Sequence, residues 1–402
     1  MAATEVKIGE LANPEQGSFK IGPFGSSLKK DELVTNGISV AGIENVLPNA
    51  FVSSFRKFIT DEKFKQLSQY EIKAGDIVVT TMGTIGRAAV VPKNISKTII
   101  DSHLFRMRID QSKVYPVYLC YAINGYTGLK LQLEKMSRGA IMEGLNTTIL
   151  KECKIPLPPI AEQERIAAIC AKADRLRRTR RYAIELSDTY LRSVFLEMFG
   201  DPATNSKSLE IQSLGKHLAF MTSGSRGYAE YYSSSGDRFI RSLDVQMNHI
   251  SDTDIVYVTP PDNAESKRTQ VRPNDVLLTV TGSRIGRVAT VPAKIGKAYV
   301  SQHVAILRLS TSLNPIFLSM FLSLKEGGQE QISRTQYGQT KPGLNFEQIQ
   351  GFKIPISPLP LQEKFAQIVQ KHERIRAQQR EALRQAEHLF QTILHQAFRG
   401  EL

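Results

Sequence analysis

Apolar positions along this chain follow two different periods. Asp-Ile-Val-Val-Thr-Thr at 76–81 and Asp-Val-Leu-Leu-Thr-Val at 275–280 are short β-branched runs, Val-Ala-Ile-Leu-Arg-Leu at 304–309 alternates, and Gly, Pro, Asn and Ser punctuate between them. These runs predict strands. Residues 116–136 and 315–332 instead space their apolar side chains at the period of a helix, so the regions that contain them read as mixed α/β (α+β) rather than all-β. Two further stretches are longer. Pro156, Pro158 and Pro159 hold the chain extended, Glu162 and Glu164 then fall in a first helical turn where carboxylates suit the positive dipole end, and a helix is predicted from near Ala161. Its seam is Ile166, Ile169, Ala173, Leu176, Ala183, Tyr190 and Val194; the second stretch repeats the phase with Phe365, Ile368, Ile375, Ala382, Ala386, Leu389 and Ile393. Each reads as a coiled-coil-like helix of about forty residues, roughly 60 Å long. Arg180 and Gln379 interrupt the two seams at matching positions, and the helices end near Gly200 and Gly400.

The similarity between the two long stretches is a duplication. KIPLPPIAEQERIAAI at 154–169 shares eight of sixteen residues with KIPISPLPLQEKFAQI at 353–368. Upstream, GDIVVTTMGTIGRAAVVP from Gly75 aligns with NDVLLTVTGSRIGRVATVP from Asn274 if one residue is inserted at Arg284, so Asp76 pairs with Asp275. Residues 101–109 lie over 301–309, and 139–146 over 338–345. The predicted organisation is a globular unit at 1–154, a helix at 155–200, a second unit at 201–353 and a second helix at 354–402. Because only about nine residues join the first helix to the second unit, a reach of at most about 30 Å, the second unit is expected at the far end of that helix. Its own helix must then run back antiparallel, giving two units related by a pseudo-two-fold axis and separated by a helix pair. That geometry suits two half-sites on one DNA duplex.

Charge strengthens the link to nucleic acid. In 402 residues Lys plus Arg number 52 against 39 Asp plus Glu, an excess of 13 that makes a standing positive field. The length favours two or three domains. Cys120, Cys153 and Cys170 form neither an even framework nor a C-x-x-C pair, so three free, mostly buried thiols in a reducing compartment are expected. The N-terminal residues lack an apolar signal region, and no run reaches the roughly 18 apolar residues of a membrane span, so a soluble, unexported chain is expected. Phosphate-loop, zinc-protease and nucleophile-elbow motifs do not occur, nor does the tetrapeptide with which amino-methyltransferases hold a flipped base. His103 and His303 match in the repeat but lack companions at ligand spacing, so no metal is expected.

Candidate DNA contacts are the loop residues whose side chains can pair with phosphates or base edges. In the first unit they are Lys20, Ser26, Ser27, Lys29, Lys30, Arg56, Lys57 and Arg138, with Thr84 and Arg87 around the G-T-I-G turn. In the second they are Ser223, Ser225, Arg226, Arg241, Lys267, Arg268, Tyr337, Gln339 and Lys341, with Ser283, Arg284 and Arg287 around G-S-R-I-G. Those two glycine turns are better explained as tight structural turns with glycines at positive φ, with approach to the DNA backbone as the alternative reading. Tyr228, Tyr231 and Tyr232 suit packing at a loop base. The cations Arg175, Arg177, Arg178, Arg180 and Arg181 are either a solvated face, partners for helix pairing, or contacts for phosphate or a partner subunit.

The repeated I-P-L-P-P-I-A-E-Q-E-R-I-A segment, the G-D-I-V and G-T-I-G-R strings and the closing Q-A-F-R-G-E-L resemble the specificity subunits of type I restriction-modification systems, over nearly the whole chain. The resemblance implies a non-catalytic, cytoplasmic prokaryotic protein that reads a bipartite target in double-stranded DNA. It implies two methylation subunits that use S-adenosylmethionine on adenine N6, and two ATP- and Mg2+-dependent restriction subunits, with no cofactor in this chain. The second copy has Leu361 at the position of Glu162, leaving any special role of Glu162 open. A freestanding DNA-binding regulator would carry the same basic units but bind without a methylation subunit. A coiled-coil scaffold would show little salt-dependent DNA affinity.

Overall fold

The duplication is visible strand by strand in a computed structural model, which describes residues 4–15, 17–137, 145, 147–336 and 343–402. Arg138, Tyr337, Gln339, Lys341 and most of the match of 139–146 to 338–345 lie outside the described residues. Two units are resolved, Met1–Arg181 with Glu381–Leu402, and Tyr182–Arg380.

In the first unit, β1 (Glu5–Lys7), β2 (Phe19–Ile21), β3 (Ile38–Ala41), β4 (Val46–Leu47), β5 (Ala50–Phe51), β6 (Lys57–Ile59), β7 (Ile77–Thr80), β8 (Ala88–Val90), β9 (Thr98–Ile100), β10 (Leu104–Met107) and β11 (Lys154–Pro156) alternate with α1 (Asp61–Leu67), α2 (Pro116–Gly125), α3 (Thr127–Ser137) and α4 (Thr147–Glu152). The main sheet has the order β2-β10-β7-β8, all antiparallel. A second sheet, β6-β3-β9, contains the parallel pair β3–β9, and β1 pairs with β11. Thr60 caps α1 by accepting from the Lys63 amide (3.2 Å), and Pro116 opens α2 with its φ already set.

Helix α5 (Ile160–Phe199) leads into the second unit, where β12 (Glu210–Ser213), β13 (Leu218–Ser223), β14 (Tyr232–Ser233), β15 (Asp237–Ile240), β16 (Val256–Val258), α6 (Ala264–Thr269), β17 (Val276–Thr279), β18 (Val288–Thr290), β19 (Ala298–Val300), β20 (Val304–Leu309), α7 (Pro315–Ser323), α8 (Glu330–Gln336), α9 (Phe346–Gln350), β21 (Lys353–Ile356) and α10 (Leu359–Arg399) follow. The sheets repeat: β13-β20-β17-β18, then β14-β16-β15-β19 with the parallel pair β15–β19, then β12 with β21. The runs read as strands at 76–81, 275–280 and 304–309 are β7, β17 and β20. Gly200 (φ +81°) and Gly400 (φ +73°) end the two long helices in the left-handed conformation that a β-carbon would strain.

The long helices belong to the cores. In the first unit Ile77, Val79 and Phe105 of the sheet and Tyr118 and Leu119 of α2 cluster with Ile166, Cys170 and Ala173 of α5 and Phe390, Leu394 and Phe398 of α10. In the second, Phe195 and Phe199 of α5, Phe317 of α7 and Phe365 of α10 close a four-ring cluster with centroids 4.8–5.5 Å apart. Within each unit the two helix segments run antiparallel: Arg165 donates to the Leu402 carbonyl (2.8 Å) and Arg181 pairs with Glu387 (2.7 Å), while Ser187 meets His372 (2.6 Å) in the other unit.

The seam differs from the one predicted. Ile166, Ala173, Phe365 and Ala386 are buried and Ile169, Ala183, Val194, Ile368, Ala382 and Ile393 half-buried, but Leu176, Tyr190, Ile375 and Leu389 are exposed. The inward row carries polar groups there instead. Asp174 is buried and paired with Arg177 (2.6 Å) and Arg178 (2.9 Å), and His372 is buried against Ser187. A stripe followed through apolar residues alone therefore drifts off the packed face.

Two buried arrangements recur in both copies. Asp76 accepts a two-pronged bond from Arg108 (3.0 and 2.9 Å), as Asp275 does from Arg308 (2.7 Å twice), tying the residue after β10 to the turn before β7 and β20 to the turn before β17. The glutamine of the repeated helix start is the second. Gln163, fully buried, accepts from the Tyr115 amide (2.8 Å) and donates to the carbonyls of Pro158 (2.8 Å) and Lys113 (3.1 Å); Gln362 accepts from the Asn314 amide (2.8 Å) and donates to the Ser357 carbonyl (2.7 Å). Glu162, by contrast, is half-exposed and bonds Arg165 one turn on (2.7 and 2.9 Å).

Candidate nucleic-acid interface

Antiparallel order in the main sheet brings loops that are far apart in sequence to one edge. In the first unit this edge gathers the loop after β2, the β7–β8 hairpin loop and the turn before β10. Backbone bonds lock them together: the Gly22 amide donates to the Leu104 carbonyl (3.0 Å) and the Thr81 amide to the His103 carbonyl (2.8 Å). Gly22 lies so close to its neighbour that a β-carbon would stand 1.9 Å from the Asp101 carbonyl oxygen. The second unit repeats each feature. Gly224 donates to Val304 (3.2 Å), Val280 to His303 (2.9 Å), and a β-carbon on Gly224 would stand 2.0 Å from the Val300 oxygen.

On the first edge, Lys57 reaches Asp101 (3.0 Å), which also lies 3.5 Å from the His103 ring. Thr84 is exposed at the hairpin tip, where its carbonyl accepts from the Thr80 hydroxyl, and the Arg87 amide donates to the same hydroxyl (3.0 Å). Gly83 and Gly86 have φ of +68° and +81°, and Gly282 and Gly286 +91° and +87°, as a tight turn requires. Ser26 and Ser27 lie in the turn Gly25–Ser27, and exposed Lys29 and Lys30 follow it. Arg56 is exposed immediately before β6. Lys20 stands apart, in the middle of β2, its ammonium 5.4 Å from the Tyr70 ring.

On the second edge, Arg268 spans the loop, donating to the Thr222 hydroxyl, the Ser223 carbonyl (2.9 Å) and the Ser225 hydroxyl (3.4 Å), so Ser225 is buried beneath it. Arg226 and Ser283 are exposed, Arg284 is half-buried, and Arg287 donates to Gln246. Arg241 is tied within its own loop, giving both Asp244 oxygens (3.1 and 2.8 Å) and the Asp254 carbonyl (2.9 Å) a donor; the Asp244 bonds hold its guanidinium above the usual arginine range. Lys267 pairs on the surface with Asp262 (3.0 Å). Tyr228 is buried and stacks on Phe239 (5.3 Å), packing at the loop base.

The arginine run of α5 is largely internal: Arg177 and Arg178 hold Asp174, the Arg177 guanidinium sits 4.1 Å over Phe390, Arg178 donates to the Pro48 carbonyl and Arg181 bonds Glu387. Arg175 and Arg180 are exposed.

The candidates omit several edge residues. His103 and His303 sit at the same place on both edges, the latter bonded to Thr281 and beside Gln302 (3.2 Å). Their match in the repeat was the available signal. Phe24, Met82 and Ile85, exposed large apolar groups on the first edge, leave no periodic trace in the sequence.

Comparison with known proteins agrees with this geometry. The family model described as Type I restriction modification DNA specificity domain matches residues 5–186 and 234–385. The type I restriction enzyme MjaIX specificity subunit of Methanocaldococcus jannaschii is 24% identical over 339 residues, 80% of this chain and 76% of that protein. The EcoBI specificity subunit of Escherichia coli is 21% identical over 336 residues, 76% of this chain and 69% of that one. A sequence named for the MjaX specificity subunit of M. jannaschii matches at 24% over 183 residues, and there the alignment spans 43% of the relative's length. Among solved structures, the S subunit of a type I restriction-modification system from M. genitalium superposes with a TM-score of 0.58 at 16% identity, covering 98% of this chain and 96% of that chain. A chain from a type I R-M system studied for complex assembly and conformational transition superposes at 0.57 with 19% identity, covering 100% and 98%. At these identities the structures establish the shared fold.

Proposed function

Because this chain belongs to the type I restriction-modification DNA specificity family, the non-catalytic DNA-recognition component of these systems, we propose that it reads a bipartite target, one half-site at the loop edge of each unit. It docks two methylation subunits and, through them, two restriction subunits. S-adenosylmethionine, ATP and Mg2+ act on those partners. Each long helix has residues in both units, and helix length sets the spacing of the half-sites. The assembly is placed in the cytoplasm as part of this proposal; no helix among the described residues is long and apolar enough to cross a membrane.

The observation that carries this reading is the repetition of one loop edge in the two matched regions, with different side chains on each. A shared frame holds Gly22 and Gly224, His103 and His303, Arg87 and Arg287, and the two glycine turns, while Phe24 stands where the second copy has Arg226, and Lys57 and Arg268 lie in segments whose sequences differ between the copies. Phosphate contacts position such an edge and the varied side chains discriminate bases.

The test is to sequence methylated adenines in DNA exposed to the chain with its methylation subunit, before and after residues 1–150 are exchanged for the equivalent unit of a related subunit. One half-site should change. Change in both would overturn the two-reader assignment, and methyl transfer by the isolated chain would overturn its non-catalytic role.

A further inference from the structure

The two edges differ in one physical respect. The first exposes three large apolar side chains, Phe24 (64%), Met82 (43%) and Ile85 (48%). At the corresponding places the second has Arg226, Thr281 bonded to His303, and Ile285 packed on its core.

Phe24 is held in place rather than loosely attached. Gly22 is pressed against the Asp101 carbonyl, Pro23 is buried, and the Ser27 amide closes a turn on the Phe24 carbonyl (2.8 Å). The ring therefore projects from a fixed tip. Around the same edge lie Lys29, Lys30, Arg56, Lys57 and Arg87; of its carboxylates, Asp101 is engaged by Lys57 and His103, Glu32 by Lys63 (2.6 Å) and the Lys29 amide (2.7 Å), and Asp31 and Glu44 are exposed. Apolar groups within a cationic surface fit a polyanion that also offers an apolar spot. In the major groove of B-DNA that spot is the thymine 5-methyl group.

We propose that Phe24, with Met82 and Ile85 on the same edge, reads thymine methyl groups in the first half-site, so that this half-site is distinguished partly by apolar contact and the second by polar contact. The inference rests on the DNA-reading role given above. Burying one methyl group corresponds to about fourfold in affinity.

The experiment measures equilibrium binding of the chain with its methylation subunit to target duplexes in which each thymine in turn is replaced by uracil, which keeps O4 and loses the methyl group. At least one replacement in the first half-site should weaken wild-type binding about fourfold. Phe24→Ala should bind the thymine and uracil versions of that site equally, while responses to replacements in the second half-site stay as in the wild type. Phe24 is exposed, so an unchanged circular dichroism spectrum and Tm will establish that the variant is folded. The inference is overturned if no first-half uracil matters, or if the sensitivity persists undiminished in Phe24→Ala and in the Met82→Ala and Ile85→Ala variants. It is also overturned if Phe24→Ala leaves DNA binding intact and instead abolishes capture of the methylation subunit, which would make the ring a protein contact. Absence of any sequence-specific binding by the wild type is a separate result and would overturn the DNA-reading role itself.

Discussion

Replacing Gln163 with leucine isolates the contribution of the repeated helix start. The substitution keeps the volume and removes three hydrogen bonds at a fully buried site, orphaning the Tyr115 amide and the carbonyls of Pro158 and Lys113. An unsatisfied buried amide costs about 2 kcal/mol and each carbonyl about 1, so the total is about 4 kcal/mol. For a unit of this size, Tm falls by about 2–4 °C per kcal/mol, giving a drop of about 8–16 °C. Differential scanning calorimetry measures it directly. Gln362→Leu removes two bonds in the second unit, to Asn314 and Ser357, and should have the smaller effect. Glu162→Ala removes an exposed pair with Arg165 and should leave Tm unchanged. The reasoning is refuted if Gln163→Leu lowers Tm by less than about 3 °C, equivalent to about 1 kcal/mol, or if Glu162→Ala costs as much.

Phe195→Ala and Phe365→Ala, each opening a cavity in the four-ring cluster, should each lose about 3–5 kcal/mol in urea unfolding. Leu176→Lys and Ile375→Lys, on the exposed side, should stay within about 0.5 kcal/mol; a large loss there would restore the seam expected from apolar periodicity. Burial pushes the Cys153 thiol up to about 11, Cys170 to about 12 and Cys120 higher still, so the native chain should resist iodoacetamide at pH 8 while the unfolded chain is labelled at all three, as intact mass will report. Below pH 9 these thiols are protonated in both states; above it the unfolded state loses protons that the native state keeps, so their contribution to stability is lost as pH rises from 9 toward 12. One heptad inserted after Tyr182 and another after Arg380 lengthens both helices by about 10 Å, about three base pairs, so selection from randomised spacers should yield a longer spacer with unchanged half-sites. An unchanged spacer would show that the helices do not set the distance.

What the sequence discloses is governed by which interactions are periodic or repeated. Strands β7, β17 and β20 were legible because their buried faces demand β-branched or apolar runs, and the duplication was legible because Gln163/Gln362, Asp76/Asp275 and the glycine turns each meet the same stereochemical need twice. The loop edges were less so, because whether Lys57 meets Asp101 or Arg268 crosses to Ser223 depends on which loops the antiparallel order places side by side, and no local pattern encodes that. The helix seam marks the boundary between the two cases. Its apolar ends, Ile166 to Ala173 and Phe365 to Ile368, follow the predicted phase, whereas the interior is built from Asp174 with Arg177 and from His372 held by Ser187 and stacked on Tyr190 (5.9 Å). Apolar replacements at such positions often raise stability, yet the Ser187–His372 bond crosses from α5 to α10, and Asp174, paired with Arg177 on its own helix, holds that guanidinium over Phe390 of α10 (4.1 Å); each crossing contact forms in one alignment only and so fixes the register of two helices. Under the proposed function, in which the helices set the distance between two readers, a fixed register is a requirement. The same polar residues that hide the seam from an apolar reading are therefore the ones that hold its alignment.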